Sequence, residues 1–146
     1  MKSSKPFYQM FTVLNVLAAA VAAYLTYIHY KPALTDFCNF GEKWNCDIVN
    51  KSIYAEIFGI PVALLGLLAY LGFLAFSIRG LFKDQTKLVP LYFFALSGSL
   101  AFALYLTGIE TFVLKTYCLF CVIQQVLILI QWGVALRLYL LTRRHA

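Results

Sequence analysis

The chain has 146 residues, enough for one domain, and its composition differs from that of a soluble domain. Hydrophobic residues make up 62% and charged residues 12%, against about 45–50% and about 25% in ordinary globular proteins. So few charges exclude a soluble fold, a disordered chain and a coiled-coil rod, and they leave an integral membrane protein.

Four long stretches of the chain contain no Asp, Glu, Lys or Arg. They lie between Lys5 and Lys31, Glu56 and Arg79, Lys87 and Glu110, and Lys115 and Arg137. Each is longer than the ~20 residues that a helix needs to cross a bilayer core. The sequence therefore predicts an all-α membrane protein, a bundle of four transmembrane helices at about 7–30, 60–78, 88–109 and 117–140. We expect one domain over residues 1–146, with no fused thioredoxin-like domain.

The first stretch also has the positive start of a secretory signal, but it continues to Tyr30. The apolar core of a signal peptide has only ~7–15 residues, so we interpret this segment as an uncleaved first helix.

Basic residues predict the orientation. With four spans, the N-terminus, the loop 79–87 and the C-terminal tail share one side, which carries eight Lys and Arg residues and only Asp84 as an acid. The other side carries four basic and five acidic residues. The positive-inside rule therefore predicts a multi-pass protein of the cell inner (plasma) membrane with both termini in the cytoplasm. The net charge of +6 follows from this topology and from anionic lipid, so we expect a lipid bilayer and no nucleic acid as partner.

The outer connection between the first two spans, residues 31–59, divides into two parts. Residues 31–45 are polar and predict a loop. From Asp47, a plausible N-cap, apolar residues recur at helical spacing to Phe58. This pattern predicts an amphipathic half-helix over 47–58 in the membrane interface, ended by Gly59 and followed by Pro61 at the start of the next helix.

All four cysteines fall on the predicted outer side, where disulfides persist. Cys38 and Cys46 lie in the first outer connection, and Cys118 and Cys121 lie where the fourth helix begins. Three pairings remain open, because the sequence alone does not choose among them.

The Cys118-Leu-Phe-Cys121 motif is the sharpest chemical signal. In a first helical turn, the positive end of the helix dipole favours the thiolate of Cys118, while Cys121 lies ~4.5 Å deeper along the axis. We expect Cys118 to face water-soluble chemistry and Cys121 to face the bilayer. Cys38 and Cys46, in a mobile loop, could move between a soluble partner and this pair. Such a thiol exchange transfers two electrons, the number that a quinone accepts.

Three other interpretations of the cysteines stay open: a structural disulfide between Cys38 and Cys46, a four-cysteine zinc site, and a metal-ion carrier. Zinc ribbons use two tight cysteine pairs, whereas seven residues separate Cys38 from Cys46. Carriers place thiols along the path through the membrane, and none of these four lies at mid-span. We therefore expect no metal ligands, and we keep a small metal-handling membrane protein as the non-enzymatic alternative.

Two segments resemble the vitamin K epoxide reductase family in its bacterial form. One extends from Cys38 through Ser52 to Pro61 and on to Gly66, and the other is the Cys118–Cys121 motif that opens the last helix. The likeness covers about residues 7–140. The separate disulfide-bond formation protein B family does the same work, but its Cys-x-x-Cys motif lies in the first outer loop, the reverse of the order here.

The resemblance implies a four-helix bundle around a quinone pocket near the outer surface. It implies that Cys38 exchanges with a thioredoxin-like periplasmic or extracellular oxidoreductase and that Cys46 passes the electrons to Cys118. Cys121 would then reduce ubiquinone or menaquinone, and Ser52 would lie near the active site. On this basis we expect a membrane thiol–quinone oxidoreductase that supports disulfide-bond formation outside the cytoplasm.

Two glutamines follow Cys121 by one helical turn. The resemblance places Gln125 where the animal enzymes have a tyrosine, which argues against vitamin K epoxide as the natural substrate. We expect Gln124 to bond another helix and Gln125 to contact the quinone. Glu110 we expect merely to end the third helix, and His29 to be an interfacial residue.

Overall fold

A computed structural model describes residues 4–32 and 36–145 and contains four helices that are long and apolar enough to cross a membrane. They are α1 (Lys5–Tyr30), α3 (Val62–Phe82), α4 (Val89–Ile109) and α5 (Leu119–Arg144). A short helix, α2 (Cys46–Asn50), lies between α1 and α3. The predicted all-α membrane bundle of four helices is confirmed.

The long helices begin and end close to the predicted residues. Proline stands in the first turn of α1 and of α4, where its missing N–H costs no intrahelical hydrogen bond. Thr86–Leu88 forms a 3-10 turn before α4, and Glu110–Leu114 continues α4 as a π-helical turn. Lys2, which belongs to the basic N-terminus counted above, and residues 33–35 of the predicted loop lie outside the described residues.

Helix α1 occupies a central place because it packs against both α3 and α5, while α4 packs against α5. Its buried alanines, Ala18, Ala19 and Ala22, cluster with Tyr70 of α3. Small residues let helices approach closely, and van der Waals contact is what holds helices together in lipid. On the other side, the amide Nε2 of Gln124 in α5 donates to the carbonyl O of Ala18 at 2.9 Å, so α5 is also tied to α1.

An aromatic core fills the end of the bundle away from the cysteines. Tyr92 of α4 stacks on Phe76 of α3 with ring centroids 4.4 Å apart and lies 5.0 Å from the ring of Phe11. Trp132 of α5 donates from its indole N–H to Oγ of Ser97 in α4 at 2.9 Å. This end of the protein is therefore closed by side chains.

The connection between α1 and α3 differs from the predicted half-helix over 47–58. Helix α2 ends at Asn50, a 3-10 turn covers Ile53–Ala55, and a two-stranded hairpin follows with β1 (Glu56–Ile57) and β2 (Ile60–Pro61). We call residues 46–61 the lid.

Backbone conformation explains why the half-helix prediction was wrong. Ser52 is extended, with φ −71° and ψ 159°, which interrupts the helix. Phe58 and Gly59 both have positive φ, 52° and 78°, and two such residues make the tight turn of a hairpin. The N-cap of α2 is Asn45, whose side chain accepts from the N–H of Ile48 at 3.0 Å; the predicted cap, Asp47, is buried and pairs with Lys51 at 3.2 Å.

The contact between α1 and α3 yields a stability prediction at Gly80. A Cβ atom at this position would overlap the ring of Tyr8 near its root, where the side chain cannot swing away. We expect Gly80→Ala to destabilise the protein by about 1–3 kcal/mol, the usual cost of overpacking. Thermal unfolding in detergent measures this. Gly72→Ala in the same helix is the control, because a Cβ there meets nothing within 4 Å. Equal unfolding temperatures for the two variants would contradict the packing described.

Candidate active site

Three of the four cysteine sulfurs lie together at the lid end of the bundle. Cys38 and Cys46 form a disulfide with Cα atoms 5.5 Å apart, and Sγ of Cys46 lies 2.9 Å from Sγ of Cys118. Cys118 and Cys121 are free thiols. Thiol–disulfide exchange begins with attack of one sulfur on another, so Cys118 lies where it can exchange with the first pair.

Backbone hydrogen bonds around Tyr117 bring the two cysteine pairs together. The N–H of Tyr117 donates to the carbonyl O of Lys43 at 2.8 Å, and the N–H of Asn45 donates to the carbonyl O of Tyr117 at 3.0 Å. Trp44 and Tyr117 thus form a parallel bridge. Cys46 then begins α2 and Cys118 is the N-cap of α5, so the helix starts lie side by side.

The three clustered cysteines are more deeply buried than the sequence predicts. The side chains of Cys38, Cys46 and Cys118 are all 0% exposed, although we expected Cys38 in a mobile loop and Cys118 facing water. The loop is held because Asn39 forms a bridge with Asn45 and donates from Nδ2 to Oδ2 of Asp47 at 2.8 Å. A soluble protein therefore reaches Cys38 only after this loop opens.

Cys121, the fourth cysteine, lies one helical turn further along α5 than Cys118. Its side chain is half-buried and lies close to the Cys118 thiol and to the carboxyl group of Glu110. It also lines a cavity inside the bundle. The two members of the Cys-x-x-Cys motif thus have different surroundings, because Cys118 contacts Cys46 and Cys121 contacts the cavity.

Glu110 is the site residue that the sequence analysis missed. Glu110 does end α4 as its C-cap, as expected, but the chain continues through a π-helical turn to Leu114, and Lys115 then reverses it with φ 51°. Glu110 is only 5% exposed, and its Oε2 accepts from the backbone N–H of Cys118 at 3.3 Å. The available signal was a single acid in a long apolar segment, which by default indicates a functional position.

The cavity has a volume of about 590 Å³ and is bounded by α1, α3, α4, α5 and the lid. This is within the ~300–1,000 Å³ typical of sites for small molecules and cofactors. Its walls are mostly apolar, and ten residues of the lining carry polar side chains: Asn50, Ser52, Tyr54, Tyr70, Ser99, Thr107, Glu110, Cys121, Gln124 and Gln125. The space is partly open, and it suits an apolar ring compound with a few polar atoms.

The polar residues that the sequence analysis singled out near the quinone differ in how many of their hydrogen-bonding groups already have partners. Ser52 donates from Oγ to the carbonyl O of Val49 at 2.8 Å, a bond within the lid. Gln125 accepts at Oε1 from the hydroxyl of Thr107 at 3.4 Å, and its Nε2 has no hydrogen-bond partner in the described part of the chain. The amide of Gln124 is bound to α1, as expected of a structural role. Gln125 is thus the lining amide with a buried donor to spare.

A polar network fastens the lid to α1. The ring Nδ1 of His29 lies 2.7 Å from the carbonyl O of Asn50, and its Nε2 lies 3.0 Å from Oε1 of Glu56 in β1. Asn50 also donates from Nδ2 to the carbonyl O of Leu25 at 2.6 Å. His29 was expected to be an interfacial residue without a specific role, and it instead joins the helix to the wall of the cavity.

The sulfur atoms of Cys38, Cys46 and Cys118 lie within 4.8 Å of one another, close enough to be considered as ligands of one metal ion. Metal binding needs thiolates, however, and two of these three sulfurs are bonded to each other. The described arrangement is that of a disulfide beside a thiol.

One comparison with known proteins bears on this site. A family model described as "Vitamin K epoxide reductase family" matches residues 9–136, most of the chain. The match includes both cysteine pairs, the lid, Glu110 and Gln125.

The 2.9 Å separation of the Cys46 and Cys118 sulfurs predicts a cross-link. In the double variant Cys38→Ala/Cys121→Ala, mild oxidation should join Cys46 to Cys118 in nearly all molecules, since no other cysteine competes. Peptide mass spectrometry after alkylation identifies the bond. A preparation that keeps two free thiols after oxidation, while the wild type forms its disulfides under the same conditions, would contradict the geometry.

Proposed function

The chain belongs to the vitamin K epoxide reductase family, and from that premise we propose that it is a membrane thiol–quinone oxidoreductase. It carries two electrons from a thioredoxin-like dithiol protein to ubiquinone or menaquinone, and so supports disulfide-bond formation outside the cytoplasm. The observation that carries the proposal is the placement of the sulfurs: the Cys38–Cys46 disulfide contacts Cys118, and Cys121, one turn further along α5, lines the cavity.

The chemistry divides between the two pairs. A reduced partner first opens the Cys38–Cys46 disulfide by exchange at Cys38, for which the loop held by Asn39 must open. The Cys46 thiolate then attacks Sγ of Cys118 in a Cys118–Cys121 disulfide, and Cys121 leaves as the thiol next to the cavity. Cys38 finally attacks Cys46, which restores the first disulfide and frees Cys118. Each exchange moves two electrons, and the 2.9 Å between Cys46 and Cys118 supports this order.

The cavity is the proposed site of the quinone. Bound there, a quinone would accept two electrons and two protons from the dithiol. Cys121 would face it, and the unpaired Nε2 of Gln125 would hydrogen-bond one of its carbonyl oxygens. Ser52, whose hydroxyl is bound within the lid, would keep the wall closed over the ring. The apolar lining excludes water and suits a lipid-soluble substrate.

We place the four cysteines on the outer face of the cell inner (plasma) membrane, with both termini in the cytoplasm. The distribution of lysine and arginine supports this orientation. The outer side is also the compartment in which a disulfide such as Cys38–Cys46 persists and in which a thioredoxin-like periplasmic or extracellular oxidoreductase would meet Cys38.

Two single substitutions separate the ends of the relay. With dithiothreitol as reductant, we expect Cys121→Ala to abolish quinone reduction by the purified protein, because the thiol at the cavity is lost. Cys38→Ala should retain it, because a small dithiol can reduce the inner pair directly. With a reduced thioredoxin-like protein as the donor, both variants should be inactive. Absorbance of the quinone measures turnover. Full activity of Cys121→Ala, or no activity of the wild type with either quinone, would contradict the proposal.

A further inference from the structure

Glu110 has no cationic partner among the residues that the structure describes. The ion pairs of the described residues are His29 with Glu56 and Lys51 with Asp47, and Glu110 is nevertheless only 5% exposed. Burying a carboxyl group in apolar surroundings costs free energy unless other groups satisfy it. An acid retained at such a cost inside a membrane domain calls for a function.

The contacts of Glu110 all lead to the inner cysteine pair. One carboxyl oxygen accepts the backbone N–H of Cys118 at 3.3 Å, and the carboxyl group lies close to the Cys121 thiol, which lines the same cavity. The π-helical turn Glu110–Leu114 and the reversal at Lys115 hold it there. Glu110 therefore lies beside one reacting sulfur and is bound to the backbone of the other cysteine.

Glu110 also lines the cavity, and it is the only carboxyl group among the described residues of the lining. A proton that moves between the Cys121 thiol and a molecule in this apolar space needs a group that can accept and release it. The amides of Asn50, Gln124 and Gln125 cannot do so, and the hydroxyls of Ser52, Ser99 and Thr107 already donate to carbonyl oxygens of the backbone. The phenols of Tyr54 and Tyr70 also line the cavity, but among the described lining residues only Glu110 has a side-chain hydrogen bond to the inner cysteine pair.

We propose that Glu110 is a catalytic acid–base residue that carries the proton of the Cys121 thiol to the reduced quinone. This proposal rests on the proposed function. In the reaction the S–H bonds of Cys118 and Cys121 break and one S–S bond forms between them. Two electrons pass to the quinone, and two protons reach its oxygens to give the quinol. The Glu110 carboxylate accepts the Cys121 proton and delivers it to one quinol oxygen, so that it ends the cycle unprotonated; the other proton comes from Cys118.

Two substitutions distinguish proton transfer from a structural role. Glu110→Gln keeps the length of the side chain and an oxygen to accept the Cys118 N–H, but it cannot carry a proton. Glu110→Asp keeps the carboxyl group and shortens the side chain. Glu42→Gln is the matched control, since Glu42 is an exposed acid of the outer loop. The order of the first two variants remains informative even if both are less stable than the wild type.

Two measurements are made on fully reduced protein. The first is a single turnover with excess ubiquinone or menaquinone. The second, without quinone, is the rate at which a small alkylating reagent modifies Cys121, read by peptide mass spectrometry. We expect Glu110→Gln to slow the single turnover by at least about 100-fold, the contribution typical of general acid–base catalysis. It should speed alkylation of Cys121 by more than about threefold, because loss of the neighbouring negative charge makes the thiol easier to ionise. Glu110→Asp should lie between Glu110→Gln and the wild type, and Glu42→Gln should match the wild type.

The proposal is overturned if Glu110→Gln stays within threefold of the wild type in either measurement, or if it is faster than Glu110→Asp in the single turnover. A wild type that reduces neither quinone would instead contradict the proposed function, and the alkylation rates would still report whether the Glu110 carboxylate acts on the Cys121 thiol. The two failures are therefore distinguishable.

Discussion

The 2.9 Å approach of the Cys46 and Cys118 sulfurs is the constraint on which the rest of the structure depends. It requires the first residues of α2 and α5 to lie side by side, which the backbone bridge between Trp44 and Tyr117 achieves. Once these helix starts are fixed, the lid has to close over the end of the bundle, and Cys121, one turn into α5, has to face the space beneath it. The buried Cys38–Cys46 disulfide is thereby brought next to the Cys118–Cys121 motif, whose second thiol lines the cavity.

Features that depend on local sequence were predictable. The uncharged stretches predict the four spans because an uncharged run of that length has few alternatives in a bilayer, and the cysteine spacing with its context points to the family. The lid was not predictable in the same way. Residues 47–58 have helical periodicity, but positive φ at Phe58 and Gly59 and the extended Ser52 turn the chain into a hairpin. Tertiary contacts, such as that of His29 with Asn50, stabilise this conformation of the lid, and no local sequence pattern predicts them.

The site residues likewise divide into those that local sequence predicts and those that it does not. The four cysteines and Gln125 could be selected from the sequence because residue type and spacing already suggest their chemistry. The burial of Cys38 and the contact of Glu110 with the Cys118 backbone could not, since both follow from how the folded chain brings these segments together. Glu110 is adjacent to Cys118 only because the π-helical turn and Lys115 fold the chain back on itself. An acid at the end of an apolar helix is common, and its meaning here comes from the two thiols next to it.

The direct test of the account is one anaerobic turnover with the disulfides mapped at each time. Fully reduced protein is mixed with one equivalent of quinone, quenched by alkylation and analysed by peptide mass spectrometry. The account predicts one quinol per chain, with a Cys118–Cys121 disulfide appearing first and a Cys38–Cys46 disulfide replacing it as electrons move from the outer pair inward. Quinol formation with Cys38–Cys46 as the first disulfide, or with no disulfide at all, would contradict the relay.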